Sequence, residues 1–216
     1  MESLLTLFLG LGLSAACGFR IFVPLLVMSV AVRSGHLQLA EDLHWIGSDT
    51  ALMVVAVATF LEVSAYYVPW VDNFLDVVAT PVAIVAGILV MSATIGDIEA
   101  ISPLLRWTLA AILGGGAAGI TQGTTDVLRL VSTTTTAGLG NPLLATTENI
   151  TSVLLAVVAV LAPWLAVLLL GLLLYWLGKR VVRLWFRPNS QASGASGSPS
   201  KLGLGIPGIA PLDRRI

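Results

Sequence analysis

Charged side chains are scarce in this 216-residue sequence, in which only 11% of residues are Asp, Glu, Lys or Arg. Soluble domains carry about 25%. The formal net charge of -1 lacks the clustered basic excess that nucleic-acid binding requires. A single cysteine, Cys17, excludes an internal disulfide and a multi-thiolate metal centre. The two histidines, His36 and His44, match no zinc spacing. We therefore expect no nucleic acid, no metal and no cofactor.

Signatures of enzymes are missing as well. The sequence contains no G-x-S-x-G, no H-E-x-x-H and no phosphate-binding glycine loop. Hydrolase and nucleotide-binding chemistry therefore have no motif to support them. We expect a protein that is not an enzyme.

Hydrophobic residues, in contrast, make up 56% of the chain and gather in long stretches. A transmembrane helix needs roughly 20 largely apolar residues. The sequence predicts an all-α, polytopic membrane helical bundle of about five transmembrane helices, with six as the alternative. The last stretch exceeds the hydrocarbon core, so it is tilted, kinked at Pro163 or two pieces. The predicted spans are residues 4–32 (bent at Pro24), 51–68, 77–96, 107–123 and 149–178.

Basic residues at span ends predict the orientation, because they are kept on the cytoplasmic side. With five spans, Arg33, Arg106 and the basic cluster at 179–187 share one side. That side is predicted to be cytoplasmic and to hold the C-terminus. The N-terminus and the acidic turn at Asp72 are predicted to lie outside.

Three further segments complete the domain organisation. Residues 124–148 are rich in hydroxyl groups and predict either a re-entrant loop or a polar surface loop. Residues 188–216 are rich in Ser, Gly and Pro and predict a disordered cytoplasmic tail after a transmembrane domain of residues 1–187. Similar glycine-rich and alanine-valine segments predict two repeats, 3–97 and 104–186, which would be inverted.

Two opposite charges within apolar segments mark a candidate binding site. Arg20 lies near the middle of the first predicted span and Glu62 lies inside the second. Charges in a bilayer are costly unless they find partners, so we expect the two to pair. The pair could bind an anionic group, or it could be a structural ion pair that fixes helix register. Glu62 could alternatively carry a proton or cation, and Tyr66, four residues on, could hydrogen-bond it.

Other candidate residues have simpler interpretations. Asp72, Asn73 and Asp76 follow a Pro-Trp turn and could collect a hard cation, although capping of the next helix is the favoured interpretation. Asp126 and Arg129 could pair at a spacing of three, and Glu148 could open the fifth helix. Three glycines at four-residue spacing predict close helix packing: Gly115, Gly119 and Gly123.

Several of these residues also form a recognisable pattern. It comprises Gly18-Phe19-Arg20, Pro24, Glu62, Pro69 through Asp72 to Asp76, Arg129, Asn141-Pro142 and Glu148. In these residues the chain resembles the bacterial membrane family known as domain of unknown function 4126, over residues 3–184. It departs from the family pattern at Tyr66 and Tyr67, where an acidic-basic pair is usual, and at 121–124, where basic or histidine positions are usual. The resemblance implies a multi-pass protein of the bacterial plasma (inner) membrane and no particular activity.

Together these features favour a transporter-like or channel-like protein that moves an ion or small solute. Arg20, Glu62 and Tyr66 would form its central site, with Asp72, Asn73 and Asp76 at the mouth. The alternative is a non-transporting scaffold or assembly factor. The expected partners are the lipid bilayer, an unknown solute or ion, and a second copy or another membrane protein.

Overall fold

The computed structural model describes residues 2–96 and 101–185, and within this part of the chain it contains helices and no strands. The side chains at positions 2, 69–70, 72–74, 76–77 and 180–185 lie outside the description. The predicted tail, 188–216, also lies outside it. The helices are α1 (Glu2–Cys17), α2 (Phe22–Arg33), a short 3-10 helix (Glu41–Gly47), α3 (Asp49–Ala65), α4 (Pro69–Ile95), α5 (Pro103–Leu109), a π-helical turn (Ala110–Gly115), α6 (Gly116–Thr136), α7 (Asn141–Leu161) and α8 (Pro163–Trp185).

Three helical stretches are long and apolar enough to cross a membrane: Val78–Ile95, Pro103–Thr136 and Asn141–Leu161. A fourth is present if Glu41–Gly47 and Asp49–Ala65, which meet at 62°, count as one span. The apolar helices Ser3–Cys17, Phe22–Arg33 and Pro163–Lys179 are shorter. The all-helical class predicted from the sequence is confirmed, and the helix lengths and composition indicate a membrane protein.

The first predicted span, residues 4–32, is wrong as a single helix, because α1 and α2 form a hairpin. α1 runs antiparallel to α7: Gly12 packs against Ala159, and the Ser152 hydroxyl donates to the Ala16 carbonyl at 3.1 Å. α2 then runs back along α7. Three of its residues and two from the loop after it line one groove with the end of α7: Val27, Val30, Ala31, Ser34 and His36 with Val157, Val160 and Leu161. The N-terminal end of α1 and the C-terminal end of α2 therefore lie at the same end of the bundle.

The turn of this α1–α2 hairpin occupies residues 18–21, and not the predicted bend at Pro24. The backbone N–H groups of Phe19 and Arg20 both donate to the Ala16 carbonyl, which closes the end of α1. Gly18 packs so closely against the backbone of α6 that a β-carbon would collide with the Ala118 carbonyl. Pro24 lies in the first turn of α2, where its missing N–H costs no helical hydrogen bond.

The hydroxyl-rich segment 124–148 is also helical, contrary to the predicted loop. Its first half completes α6 and its second half begins α7, so only residues 137–140 connect them. Apart from Thr133, the threonine hydroxyls of this segment donate to carbonyls of their own helix; those of Thr124 and Thr135 donate to carbonyls four residues earlier, at 2.7 Å. α6 ends where Ala137 and Gly138 take left-handed φ values of 52° and 85°. The high hydroxyl content predicted a loop. In the structure, main-chain carbonyls of the same helix accept hydrogen bonds from these hydroxyls.

The last predicted span, residues 149–178, divides in two at Ala162. Of the three predicted alternatives, a tilt, a kink at Pro163 or two pieces, the structure has the two pieces. Ala162 leaves the helical conformation, with φ of -148° and ψ of 76°, directly before Pro163. Ala159 and Ala166, on either side of the break, both pack against Gly12 of α1. Glu148 does not open α7, which begins at Asn141.

Glycines bring α4 into contact with the chain around the π turn. Gly87 of α4 and Gly114 of the π turn meet backbone to backbone: a β-carbon on Gly87 would lie 2.6 Å from the Gly114 carbonyl oxygen. Of the glycines predicted for packing, Gly115 and Gly119 lie against Ile88 and Ile84 of α4, and nothing lies within 4 Å of a β-carbon added to Gly123. The π turn changes the helical phase, so Gly114 joins this interface although it breaks the four-residue spacing.

Candidate functional site

Arg20 lies at the tip of the α1–α2 hairpin and is 1% exposed. Its Nε donates to the Asn149 side-chain carbonyl, and its Nη2 donates to the Ala145 carbonyl at 3.1 Å. Nη2 also lies 3.2 Å from Glu148 Oε2. All three partners belong to the first turns of α7. The break between α1 and α2 thus places the Arg20 guanidinium against α7.

A second arginine reaches the same carboxylate from α6. Arg129 Nε donates to Glu148 Oε1 at 3.1 Å, and Arg129 Nη2 pairs with Oε2. Both side chains are less than a tenth exposed. Glu148 therefore accepts from two guanidinium groups that come from different helices. Because buried charges are tolerated only when paired, this shared carboxylate holds α6, α7 and the hairpin tip together.

The ring of Tyr66 lies against both guanidinium groups. The Arg20 Cζ is 3.7 Å from the ring centroid and the Arg129 Cζ is 4.7 Å from it. Tyr66 directly follows α3 and is buried. Cation–π contacts of this kind strengthen when water is excluded. Tyr66 was predicted to hydrogen-bond Glu62 on one helical face. In the structure its ring packs against the guanidinium groups of Arg20 and Arg129.

Glu62 has a different partner from the predicted one. Its Oε1 accepts the backbone N–H of Ile21 at 2.7 Å, and its Oε2 accepts that of Phe22 at 3.0 Å. These N–H groups belong to the unsatisfied start of α2. Glu62 belongs to α3 and thus caps the start of a different helix, α2. The carboxylate paired with Arg20 is that of Glu148. The predicted Arg20–Glu62 ion pair is wrong because the hairpin turn presents backbone donors to Glu62 and the guanidinium to α7.

Asp126 also differs from its predicted pairing with Arg129. It accepts from the Thr80 hydroxyl of α4 at 2.9 Å and from the Gln122 side-chain amide at 2.8 Å. Gln122 is one turn earlier on α6 and is buried. The carboxylate therefore links α6 to α4. Arg129, one further turn along α6, serves Glu148.

The predicted outer cluster lies in the first two turns of α4, which begins at Pro69. The backbone of Asp72, Asn73 and Asp76 is helical, and their side chains lie outside the described part of the structure. Neither capping nor cation binding by these residues is tested. Among the residues that are described, no group of three or more His, Cys, Asp or Glu side chains could hold a metal ion.

A cavity of about 380 Å³ lies between α3 and α4, beside the hairpin tip. Glu62 and Tyr66 form its polar end. The other described residues of its wall are apolar: Ile21, Phe22, Ala58, Leu61, Ala65, Leu75, Val78, Ala79 and Val82. We call this cavity the α3–α4 crevice.

Sequence reasoning missed Glu148 and Arg129 as members of the central site. A signal was present, since both are charged residues next to long apolar stretches, and they are separated by 19 positions. Because residues 124–148 were expected to form a loop, there was no reason to place Arg129 beside Glu148. Once α6 and α7 form an antiparallel pair with a short connection, residues at these positions come to lie side by side.

Long apolar helices around a buried cluster of ionised groups define the class of this molecule as a helical membrane protein. The chain belongs to the family described as Domain of unknown function (DUF4126), whose model matches residues 7–183. No curated protein and no solved structure matches it. The family description supplies no activity, so function rests on the geometry of the site.

Proposed function

We propose that this protein is transporter-like and moves a small solute that carries an anionic group. The observation that supports this is the convergence of Arg20 and Arg129 on Glu148 between the helices of the bundle. Ionisable residues inside membrane segments mark solute or ion pathways by default. Breaks between helices also line the binding sites of many transporters.

The donors of Arg20 favour an anion over a cation. Its Nε and Nη2 are engaged with α7, and among the described residues none accepts a hydrogen bond from Nη1. A guanidinium is well matched to carboxylate or phosphate because its planar donors can bind two oxygens. Glu148 would act as the internal counter-anion. A solute anion can then compete with Glu148 for the guanidinium groups, and a proton taken up by Glu148 would favour that exchange.

The membrane arrangement that fits this proposal has five crossings and one re-entrant hairpin. The crossings are α3, α4, the α5–α6 stretch, α7 and α8, and the α1–α2 hairpin enters and leaves on one side. Irregular backbone such as residues 18–21 is tolerated at membrane depth only when it is buried in protein or lines water. The two inverted repeats, 3–97 and 104–186, remain a prediction.

We infer the orientation in a bacterial plasma membrane from the basic residues at and beyond the end of α8. Four of them, between positions 179 and 187, favour a cytoplasmic C-terminus. With five crossings the N-terminus lies outside, as predicted. Arg33 and Arg106 then join it there, because α2 returns to the N-terminal side and Arg106 donates to Asp42 just beyond it, at 3.0 Å.

Flux into proteoliposomes tests the proposal. The full chain is reconstituted, and entry of acetate, inorganic phosphate and chloride is followed together with internal pH. We expect at least one of these anions to enter faster than into empty liposomes, and Arg20→Gln and Glu148→Gln to abolish the difference. Thr59→Val is the control, since this hydroxyl only donates within its own helix, at 2.8 Å.

The scaffold alternative predicts a different outcome. If no anion enters through folded wild-type protein, the central cluster is architectural and the transport proposal fails. Deleting residues 188–216 separates the two alternatives further, because a scaffold that recruits its partner through the tail would lose that partner. A transporter would keep its flux after the same deletion.

A further inference from the structure

We infer that the α3–α4 crevice is a second binding site, which takes an amphiphile with a single apolar tail and a protonated amine head group. This site goes beyond the proposed anion pathway. Its volume of about 380 Å³ lies within the range of roughly 300–1,000 Å³ typical of small-molecule sites. Its shape, its lining and the one carboxyl group among its described residues carry the argument.

The lining of the crevice favours a ligand with an apolar tail. Nine of the eleven lining residues that the structure describes are apolar, and Leu61, Val78 and Val82 among them are also exposed on the outer surface of the bundle. The crevice is therefore open on the side where α3 and α4 meet the surroundings. In a bilayer those surroundings are lipid tails, so an apolar chain can enter sideways without crossing water.

The polar end selects the head group. Glu62 Oε1 and Oε2 each accept one backbone N–H from the hairpin tip. A carboxylate offers about four acceptor sites, so each oxygen retains capacity for a further donor. Among the described lining residues Glu62 is the only ionisable carboxylate, and no basic side chain lines the crevice. Charge complementarity therefore favours an ammonium group and disfavours a phosphate or sulfate.

The direction of the crevice matches the direction of an amphiphile in a leaflet. Glu62, Tyr66 and Leu75 lie close to the connection between α3, which ends at Ala65, and α4, which begins at Pro69. Ala58 and Val82 lie two turns deeper along the two helices. Helix ends meet the membrane interface, where polar head groups reside. The amine would bind near the helix connection and the tail would extend toward the middle of the bilayer.

Photo-crosslinking of the full chain in lipid nanodiscs tests this inference. The probes are decylamine, decyl sulfate and decanol, each with a diazirine in the tail, and labelled residues are mapped by mass spectrometry. We expect decylamine to label the crevice walls in preference to the other two. Glu62→Gln should weaken decylamine labelling roughly tenfold, as expected for the loss of a charge-assisted hydrogen bond.

A steric variant keeps the test decisive if Glu62→Gln destabilises the fold. Ala58→Leu fills the crevice and should suppress decylamine labelling, whereas Val54→Leu, on the exposed surface of α3 outside the crevice, should leave it unchanged. Equal labelling by all three probes would mean that the crevice holds tails without selecting a head group and would overturn the inference. So would a preference for decyl sulfate. Neither result depends on anion flux through the Arg20 site.

Discussion

The carboxylate of Glu62 accepts the backbone N–H of Phe22, 40 positions earlier in the chain, at 3.0 Å. An acidic side chain at a helix start usually comes from the residues just before that helix. Here it comes from α3, because the hairpin turn of residues 18–21 brings no acidic or hydroxyl side chain of its own. One carboxylate thus joins the hairpin tip to α3 and forms the polar end of the crevice.

Removing this cap should loosen the hairpin tip. Glu62→Ala leaves the N–H groups of Ile21 and Phe22 without their acceptors, and we expect a loss of about 1–3 kcal/mol in the free energy of unfolding. Glu62→Gln retains one acceptor oxygen and should cost less. Unfolding in detergent, followed by tryptophan fluorescence, measures the difference. Equal stability of Glu62→Ala and the Thr59→Val control would contradict the capping role.

Glu148 should matter more for stability than either arginine that it binds. Glu148→Gln leaves two buried guanidinium groups without their shared carboxylate, and breaking even one buried pair costs roughly 3–5 kcal/mol. Arg129→Gln leaves Glu148 still paired with Arg20, at 3.2 Å, so its cost should be smaller. The same unfolding measurement ranks the two variants. A double-mutant cycle of Arg129 and Glu148 that gives no coupling energy would show that the contact is energetically silent.

Two glycine variants should have opposite effects. A β-carbon on Gly87 would lie 2.6 Å from the Gly114 carbonyl oxygen, so Gly87→Ala must push α4 away from the π turn and should destabilise by about 1–3 kcal/mol. Gly123→Ala meets nothing within 4 Å. Because alanine favours helix, it should be neutral or stabilising by up to about 1 kcal/mol. Melting temperatures of the two variants test this, and destabilisation by both would contradict the packing described.

Cysteine labelling should place the two ends of the α1–α2 hairpin on the same side of the membrane. Cys17 is buried, so a Cys17→Ser background allows single cysteines at Ser3, His36 and Leu139. A membrane-impermeant maleimide applied to one face should label Ser3→Cys and His36→Cys together. Leu139→Cys, in the connection between α6 and α7, should react only from the other face. Labelling of Ser3→Cys and His36→Cys from opposite faces would contradict the hairpin and support residues 4–32 as a single span.

Expectations that depended on composition and on apolar length were correct where the helices are uniform. Residues 77–96 were predicted as one helix, and all but the last lie within α4, because an uninterrupted apolar stretch of that length has few other ways to satisfy its backbone in lipid. The division before Pro163 was one of three alternatives that the length of the last stretch left open, beside a tilt and a kink. The threonines of 133–136 misled, because hydroxyl side chains favour loops on average, but those of Thr134, Thr135 and Thr136 donate to carbonyls of their own helix.

The sequence by itself determined that this chain is helical and membrane-like, and that Arg20 and Glu62 needed buried partners. Those conclusions follow from local properties, since apolar length and isolated charges are visible without neighbours in space. Which partner each charge receives was decided only by the tertiary structure. The α1–α2 hairpin turns Arg20 toward Glu148 and presents its backbone to Glu62, and such a turn depends on the close approach of Gly18 to α6. Contacts between distant segments fix that choice, so no local pattern could have revealed it.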